Sequence, residues 1–339
     1  MGFVTKPKVL SLGYPAYAGD EFMEQFASIC TIDVWDAFHI SVRYRTLAGI
    51  AAKVRADGPY VGLIARMNTH SYEPIDEELL TPLLPHCKII VSCSAGYNEF
   101  DVPFMSKNGV WFCNTRNAVS EPTADMTLLL ILSVIRDAYR GEKHARSGAW
   151  RGTLPPTRDP TGLTLGIIGM GGIGKFVAKK AWAFNMKVVY HNRKPLAEAD
   201  EAEYGAASYA ASLETLLRQS DVVSVNCPLN AHTTGLIGKR EFSQMKDGVF
   251  FVNTARGAVV DESALIHALE SGKVARAGLD VFDGEPKINP YFLGSDRCVI
   301  QPHLGGLTDR AWREAEIESL ENLRAYFENG APIASVNQL

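Results

Sequence analysis

Leu163 to Gly174 reads Leu-Thr-Leu-Gly-Ile-Ile-Gly-Met-Gly-Gly-Ile-Gly, and it restricts the fold more than any other stretch of the chain. Leu165, Ile167 and Ile168 form an apolar run short enough for a buried strand of a parallel sheet. Gly169, Gly171 and Gly174 follow in G-x-G-x-x-G spacing, and Lys175 to Phe184 continues at helical periodicity. In a dinucleotide site each glycine has its own task. Gly169 permits a tight turn, Gly171 lets the backbone approach a pyrophosphate, and Gly174 lets helix and strand pack closely. The loop through Met170, Gly172 and Ile173 then presents helix N–H groups and a positive dipole end to the phosphates. Glycine-rich turns also serve merely to reverse a chain. Here strand and helix flank the turn, and a second apolar run, Met186–Tyr190, follows at the distance a βαβ unit requires.

At 339 residues the chain is long for one core, so two domains are the natural expectation. A hydrophobic content of 46% and a charged content of 21% describe an ordinary soluble protein. The net charge of −4 gives no reason to expect nucleic acid or an anionic membrane as partner. No apolar run reaches bilayer-spanning length, and the first residues lack the layout of a signal peptide. Lys6 stands where a myristoylation signal following Gly2 wants Ser or Thr. The cysteines at 30, 87, 93, 113, 227 and 298 include no C-x-x-C pair and no neighbouring His cluster. Reduced, buried thiols, no metal site and a cytoplasmic protein are expected.

Up to about residue 115, strand-like runs at Lys8–Leu12, Thr31–Trp35, Tyr60–Ala65 and Lys88–Ser92 alternate with helical patterns at Asp20–Ser28, Ile40–Ala56 and Asp76–Leu84. That alternation predicts a separate parallel sheet. Small residues after the last strand, Cys93-Ser94-Ala95-Gly96, suit backbone N–H groups facing a ligand, and an ordinary βα turn equally. Ser120 or Glu121, with Pro122, starts a long helix expected to run through Arg140 to Lys143. Its Leu128–Ile135 run is apolar all round, which predicts burial on more than one face, one of them a subunit interface. Beyond the glycine turn, strands are expected at Val222–Val225, Val249–Val252, Ala277–Asp280 and Cys298–Ile300, with helices at Ser212–Gln219, Lys239–Gln244 and Glu262–Ser271. A final amphipathic helix spans Thr308 to Glu328 before Asn329-Gly330. In such a doubly wound pattern, ligands sit at the carboxyl ends of strands.

Three of those ends carry charge: Arg256 after one strand, Asp280 and Glu285 after the next, and His303 after a third. Singly, each has a bland explanation as a surface charge, a loop residue or a buried imidazole. Together they supply a planar fork for a carboxylate, a proton near neutral pH, and a carboxylate that favours the imidazolium. That is the equipment for reducing a carbonyl beside a carboxylate.

These residues lie in stretches that resemble the D-isomer-specific 2-hydroxyacid dehydrogenase family over nearly the whole chain. They are Gly169–Gly174, Asn253–Glu262 (N-T-A-R-G-A-V-V-D-E), Ala277–Pro286 (A-G-L-D-V-F-D-G-E-P) and Pro302–Gly306 (P-H-L-G-G), with earlier matches at Ala95–Tyr97 and Asn117–Asp125. Within that family the chain looks most like the glyoxylate/hydroxypyruvate reductases. The resemblance implies an α/β fold of two doubly wound Rossmann-like lobes, with the cofactor lobe inserted into a flavodoxin-like substrate lobe. Residues 1–117 and 308–339 would form the substrate lobe and 118–307 the dinucleotide lobe. It also implies a homodimer and a substrate cleft that closes by hinge motion.

By the same resemblance Arg256 would hold the substrate carboxylate and keto oxygen, His303 would be the acid/base, and Glu285 its partner. Backbone N–H groups of Ala95 and Gly96 would bind the carboxylate. Thr123, Ala255 and Asp280 would border the nicotinamide, with Thr254 and Gly305 also on the cofactor, and Cys227, Pro228 and Thr233 would line the adenosine side. The substrate would be a small 2-keto acid, glyoxylate or hydroxypyruvate, reduced to the D-2-hydroxy acid. The rivals are larger aliphatic or aryl keto acids, with Arg66, Met67, Tyr97 and Trp312 shaping the pocket, or a nucleotide-sensing binding protein like the corepressors of this fold.

NAD sites place Asp or Glu at the end of the second strand to accept from the ribose hydroxyls. Here that position is Asn192, followed by Arg193 and Lys194. A missing acid and two added bases favour the 2′-phosphate of NADP(H). NAD(H) remains the alternative if Arg193 and Lys194 are solvated loop charges.

Overall fold

The computed structural model describes residues 6–35, 43–67, 69 and 72–339. The reading around Gly2 and the start of the helix expected from Ile40 lie outside them. The chain forms two compact units, Met1–Val119 with Thr308–Leu339, and Ser120–Leu307.

The first unit is built on a parallel sheet of β1 (Lys8–Leu12), β2 (Thr31–Trp35), β3 (Gly62–Ala65), β4 (Ile89–Ser92) and β5 (Trp111–Cys113), in the order β2-β1-β3-β4-β5. This is the flavodoxin-like order. β3 and β4 are buried at every position, which explains their continuous apolar sequence. The helix Asp309–Asn329 packs on β4, and Ser319 Oγ donates to the Ser92 carbonyl at 3.2 Å. Thr308 caps its start by accepting from Ala311 N–H, and Gly330 ends it at φ 78°. On this helix Glu316 accepts from the N–H groups of Tyr17 and Ala18, at 2.7 and 2.8 Å, and pairs with Arg66 at 2.9 Å. One buried carboxylate thus fixes the loops that follow β1 and β3.

The second unit carries β6 (Thr164–Ile168), β7 (Lys187–His191), β8 (Ser208–Tyr209), β9 (Val222–Val225), β10 (Val249–Asn253), β11 (Val274–Leu279) and β12 (Cys298–Ile300), all parallel. Their order, β12-β11-β10-β9-β6-β7-β8, turns back between β6 and β9, as in a dinucleotide-binding sheet. Alternate residues of β10 feed opposite layers. Phe250 and Val252 meet the helices Ser120–Arg136 and Gly172–Ala183, whereas Val249 and Phe251 meet Leu213–Gln219, Lys239–Gln244 and Glu262–Glu270.

Several expectations need correction. The long helix is two, Ser120–Arg136 and Ala138–Arg146, broken at Asp137, whose φ of 54° is left-handed. Asp tolerates that conformation better than most residues. Its carboxylate, 5% exposed, is held by Arg140 Nε at 2.7 Å and by Arg276 at 3.5 Å. Arg276 also donates to the Val134 and Ile135 carbonyls that close the first helix. Ser120 is itself the first helical residue rather than a cap. The expected packing within the unit holds along one stripe of this helix, from Ser120 to Ile135, and Leu129 on the outer face is 51% exposed. The helix expected over Asp76–Leu84 is α-helical only over Glu77–Leu80 and continues as a 3-10 turn, Thr81–Leu83, where Pro82 lacks the N–H an α-helix needs. Val102–Lys107, Glu198–Glu203, Pro290–Gly294, β5 and β8 are short elements without a periodic signal. All six cysteines are free and buried. Among the described residues no helix is long and apolar enough to cross a membrane.

Replacing Arg276 by Met leaves two helix-end carbonyls and a buried carboxylate short of donors. Urea unfolding should show a loss of about 2–4 kcal/mol.

Candidate active site

The charged residues of the second unit meet at the carboxyl ends of β10, β11 and β12. β10 ends at Asn253, which is 1% exposed. Its Oδ1 accepts from Ala255 N–H and its Nδ2 donates to the Arg256 carbonyl, both at 3.0 Å, so one carboxamide spans the loop that carries Arg256. Thr254 Oγ1 lies 2.7 Å from Thr127 Oγ1, and Thr127 Oγ1 donates to the Thr123 carbonyl. Gly257 then passes directly over the next loop. A Cβ there would stand 1.9 Å from the Phe282 carbonyl carbon, so only glycine fits. The Arg256 guanidinium donates to the Ala255 carbonyl at 2.8 Å.

Asp280 continues β11 and binds backbone on both sides. Its N–H donates to the Asn253 carbonyl, and its own carbonyl accepts from His303 N–H at 2.8 Å. Its carboxylate accepts from Leu304 N–H at 2.7 Å and Gly305 N–H at 2.8 Å. Those bonds hold a turn in which His303 adopts φ 57°, a left-handed value uncommon outside glycine. Burial pushes the Asp280 carboxyl above its ordinary value, and the two N–H donors and His303 oppose this without cancelling it.

His303 Nδ1 stands 2.7 Å from Glu285 Oε2, and Glu285 Oε1 accepts from Phe282 N–H at 2.9 Å. Burial acts to raise the Glu285 carboxyl. The hydrogen bond and charge of His303, the Phe282 N–H and the charge of Arg256 outweigh it and hold the group below its ordinary value. The imidazole is 37% exposed and Glu285 16%, so the pair has one open face.

After β6 the glycines form a tight turn with one open face. Gly169 has φ 98°, and a Cβ there would come within 2.6 Å of Cys227 N. A Cβ on Gly174 would lie 2.3 Å from the Gly169 carbonyl oxygen. At Gly171 a Cβ would meet nothing within 4 Å, and no side chain caps the helix Gly172–Ala183 that starts there. The open face at Gly171 and the uncapped N–H groups fit a pyrophosphate. Asn192 at the end of β7 is engaged: its Oδ1 accepts from Met170 N–H at 2.7 Å, latching the glycine turn. Arg193 and Lys194 beside it are exposed. After β9, Cys227 is buried and Pro228 exposed, while Thr233 Oγ1 donates to the Pro228 carbonyl and accepts from Asn230 N–H. Asn226 Nδ2 is buried there without a hydrogen-bond partner.

The profile described as D-isomer specific 2-hydroxyacid dehydrogenase, NAD binding domain, matches residues 128–305. Dehydrogenase efuE of Hormonema carpetanum is 54% identical over 334 residues, covering 98% of this chain and 82% of that protein. Among solved structures, a glyoxylate reductase from Paecilomyes thermophila superposes with a TM-score of 0.90 at 38% identity, covering 98% of each chain. The D-mandelate dehydrogenase of Rhodotorula graminis superposes at 0.89 with 30% identity, covering 99% of each chain.

The chain belongs to the D-isomer-specific 2-hydroxyacid dehydrogenase family. As a family member it is an NAD(P)-dependent oxidoreductase with a Rossmann cofactor unit and a 2-keto or 2-hydroxy acid as substrate. The structure brings Arg256, Glu285, His303, Asp280, Thr254, Ala255 and Gly305 together in the second unit. Ala95 and Gly96 belong to the first unit, after β4, where Asn114 Nδ2 donates to the Ala95 carbonyl at 2.7 Å. Sequence reasoning missed the bracing groups Asn253, Thr127 and Gly257. Asn253 and Gly257 flank Arg256 in N-T-A-R-G, and a polar side chain ending an otherwise apolar strand was the available signal.

A Gly257→Ala substitution drives a methyl into backbone that has no room to retreat. Equilibrium unfolding should show about 1–3 kcal/mol of lost stability.

Proposed function

We propose that this dehydrogenase reduces a small 2-keto acid, glyoxylate or hydroxypyruvate, to the D-2-hydroxy acid, with His303 as acid and NADP(H) as preferred cofactor. The observation that carries the reading is the 2.7 Å contact between His303 Nδ1 and Glu285 at the strand ends, within reach of the Arg256 charge. When bound, the nicotinamide supplies a hydride to the keto carbon. Arg256 grips the substrate carboxylate and the keto oxygen, and stabilises the oxygen more as its negative charge develops. His303 donates from Nε2 to that oxygen while Glu285 holds Nδ1. Because the Glu285 carboxyl lies below its ordinary range, it stays ionised into acid solution and keeps an acceptor beside Nδ1.

In this reading the first unit binds substrate through Ala95 and Gly96 N–H groups and the second binds the dinucleotide. Thr123, Thr254, Ala255, Asp280 and Gly305 border the nicotinamide, and Cys227, Pro228 and Thr233 the adenosine side. Asn192 puts no carboxylate against a 2′-phosphate, and Arg193 and Lys194 stand exposed beside it. The exposed Leu129 suits the interface of a cytoplasmic homodimer. One observation favours larger keto acids: the ring of Tyr17, 45% exposed, meets Trp312 edge-on at 4.8 Å in the unit assigned to substrate.

Initial rates with glyoxylate, hydroxypyruvate and phenylglyoxylate, each with NADPH and NADH, separate these readings. The small acids with NADPH are expected to turn over fastest. Faster turnover with NADH rejects the cofactor assignment, and phenylglyoxylate in front moves the enzyme to aryl substrates.

His303→Ala should lower kcat about 10²–10⁴-fold while NADPH binding, read by fluorescence, survives. Reduction should decline in acid as the Glu285 carboxylate, held below its ordinary range, takes up a proton and no longer accepts from Nδ1. In Glu285→Gln that acid limb should be absent, because the amide does not titrate there. An unmoved profile would contradict the pairing, and no turnover by the parent enzyme would favour the nucleotide-sensing alternative.

A further inference from the structure

The geometry points to Asn253 as a positioning residue that acts through Arg256, setting where its guanidinium can meet the substrate. This rests on the reading of Arg256 as the substrate-carboxylate group. Arg256 lies beyond the last residue of β10, so the sheet itself does not hold its backbone. The Arg256 carbonyl accepts from Val259 N–H at 3.3 Å in the short turn that follows, and the Asn253 carboxamide adds a constraint on both sides of the residue. Its Oδ1 takes the N–H of Ala255, immediately before Arg256, and its Nδ2 reaches the carbonyl of Arg256 itself, each at 3.0 Å.

Both polar ends of the side chain are therefore spent on two consecutive residues. The group is 1% exposed, so water cannot substitute for either bond. The carbonyl of Asn253 meanwhile accepts from Asp280 N–H at 3.0 Å, which couples the Arg256 loop to the strand end leading to Glu285. From the other side the absent Cβ of Gly257 lets the loop lie against Phe282, whose N–H binds Glu285. The Arg256 backbone is thus set relative to Glu285 and His303 by groups that touch no reactant. A shift of about 1 Å in such a group is enough to cost a hundredfold in rate.

Only an amide meets both demands. A carboxylate at 253 keeps an acceptor for Ala255 N–H but sets a second oxygen against the Arg256 carbonyl. A serine hydroxyl can also accept from the N–H two residues on, but it is too short to reach that carbonyl. Asn253→Ser therefore isolates the bond to Arg256 from the bond to Ala255, and Asn253→Asp tests it by repulsion.

The test is a double-mutant cycle on the full chain, combining Asn253→Asp and Asn253→Ser with Arg256→Ala. It reads kcat/KM for glyoxylate, affinity of the NADPH-bound enzyme for oxamate, and affinity for NADPH alone. In the parent background each Asn253 variant is expected to lose about 10- to 100-fold in kcat/KM and in oxamate affinity, following the cost of misplacing a positioned group. NADPH affinity should change less than about twofold. In the Arg256→Ala background the same substitutions should cost less than about twofold, because the group they position is gone. An undiminished loss in that background would overturn the proposal, since Asn253 would then act on something other than Arg256. So would full activity in both single variants. If Asn253→Asp fails to fold, Asn253→Ser carries the cycle. If Arg256→Ala itself leaves kcat/KM and oxamate affinity intact, the assignment of Arg256 fails instead, which is a distinct outcome.

Discussion

Side chains at the site depend on a packing constraint among backbones. Three loops leave β10, β11 and β12 so close together that Gly257 has no room for a methyl group, and the strand ends are tied by bonds from Asp280 N–H to the Asn253 carbonyl and from His303 N–H to the Asp280 carbonyl. Loops so crowded cannot all satisfy their polar groups with each other or with water. The polar groups of two buried side chains, Asn253 and Asp280, complete the set with four more bonds. The left-handed His303 backbone persists because these bonds over-determine it.

The nucleotide end of the same sheet follows similar logic with different residues. Gly169 and Gly174 are excluded-volume positions, where any side chain would strike backbone. Gly171 is glycine for the opposite reason, since its missing Cβ leaves open space before an uncapped helix. Asn192 Oδ1 accepts from Met170 N–H at 2.7 Å and its Nδ2 donates to the Met170 carbonyl at 3.5 Å, so an acid could keep the first bond and not the second. The amide thus ties the turn through both of its polar ends while placing no negative charge beside it.

Reading the chain from its residues recovered most strands, because parallel strands buried on both faces are continuous apolar runs. The glycine turn and the gathering of Arg256, Glu285 and His303 at adjoining strand ends were legible for a second reason: a doubly wound sheet opens at those ends. Asp137 was not legible. Nothing local announces a helix break inside Ile135-Arg136-Asp137-Ala138, and the break is held by Arg276, far away in sequence. Asn253 was overlooked for a related reason. Its neighbours in N-T-A-R-G drew attention as chemistry, while its own role appears only once both carboxamide bonds are placed. The short elements Glu198–Glu203 and Pro290–Gly294 are set by tertiary contacts rather than periodicity.

A division of labour follows. The carboxyl and amide groups at the strand ends, Asn253, Asp280 and Glu285, each accept a backbone N–H. Their geometry is thereby fixed by the sheet, and a carboxylate held this way loses little further freedom when a ligand arrives. The imidazole of His303 is different: it keeps an exposed face and takes its orientation from Glu285. Of the two ring nitrogens, Nδ1 is committed to Glu285, which leaves Nε2 as the nitrogen available to another partner. A backbone-anchored acid orienting a partly open imidazole gives precision at Nδ1 and access at Nε2. Exchanging those roles would bury the imidazole and leave its orienting partner loose.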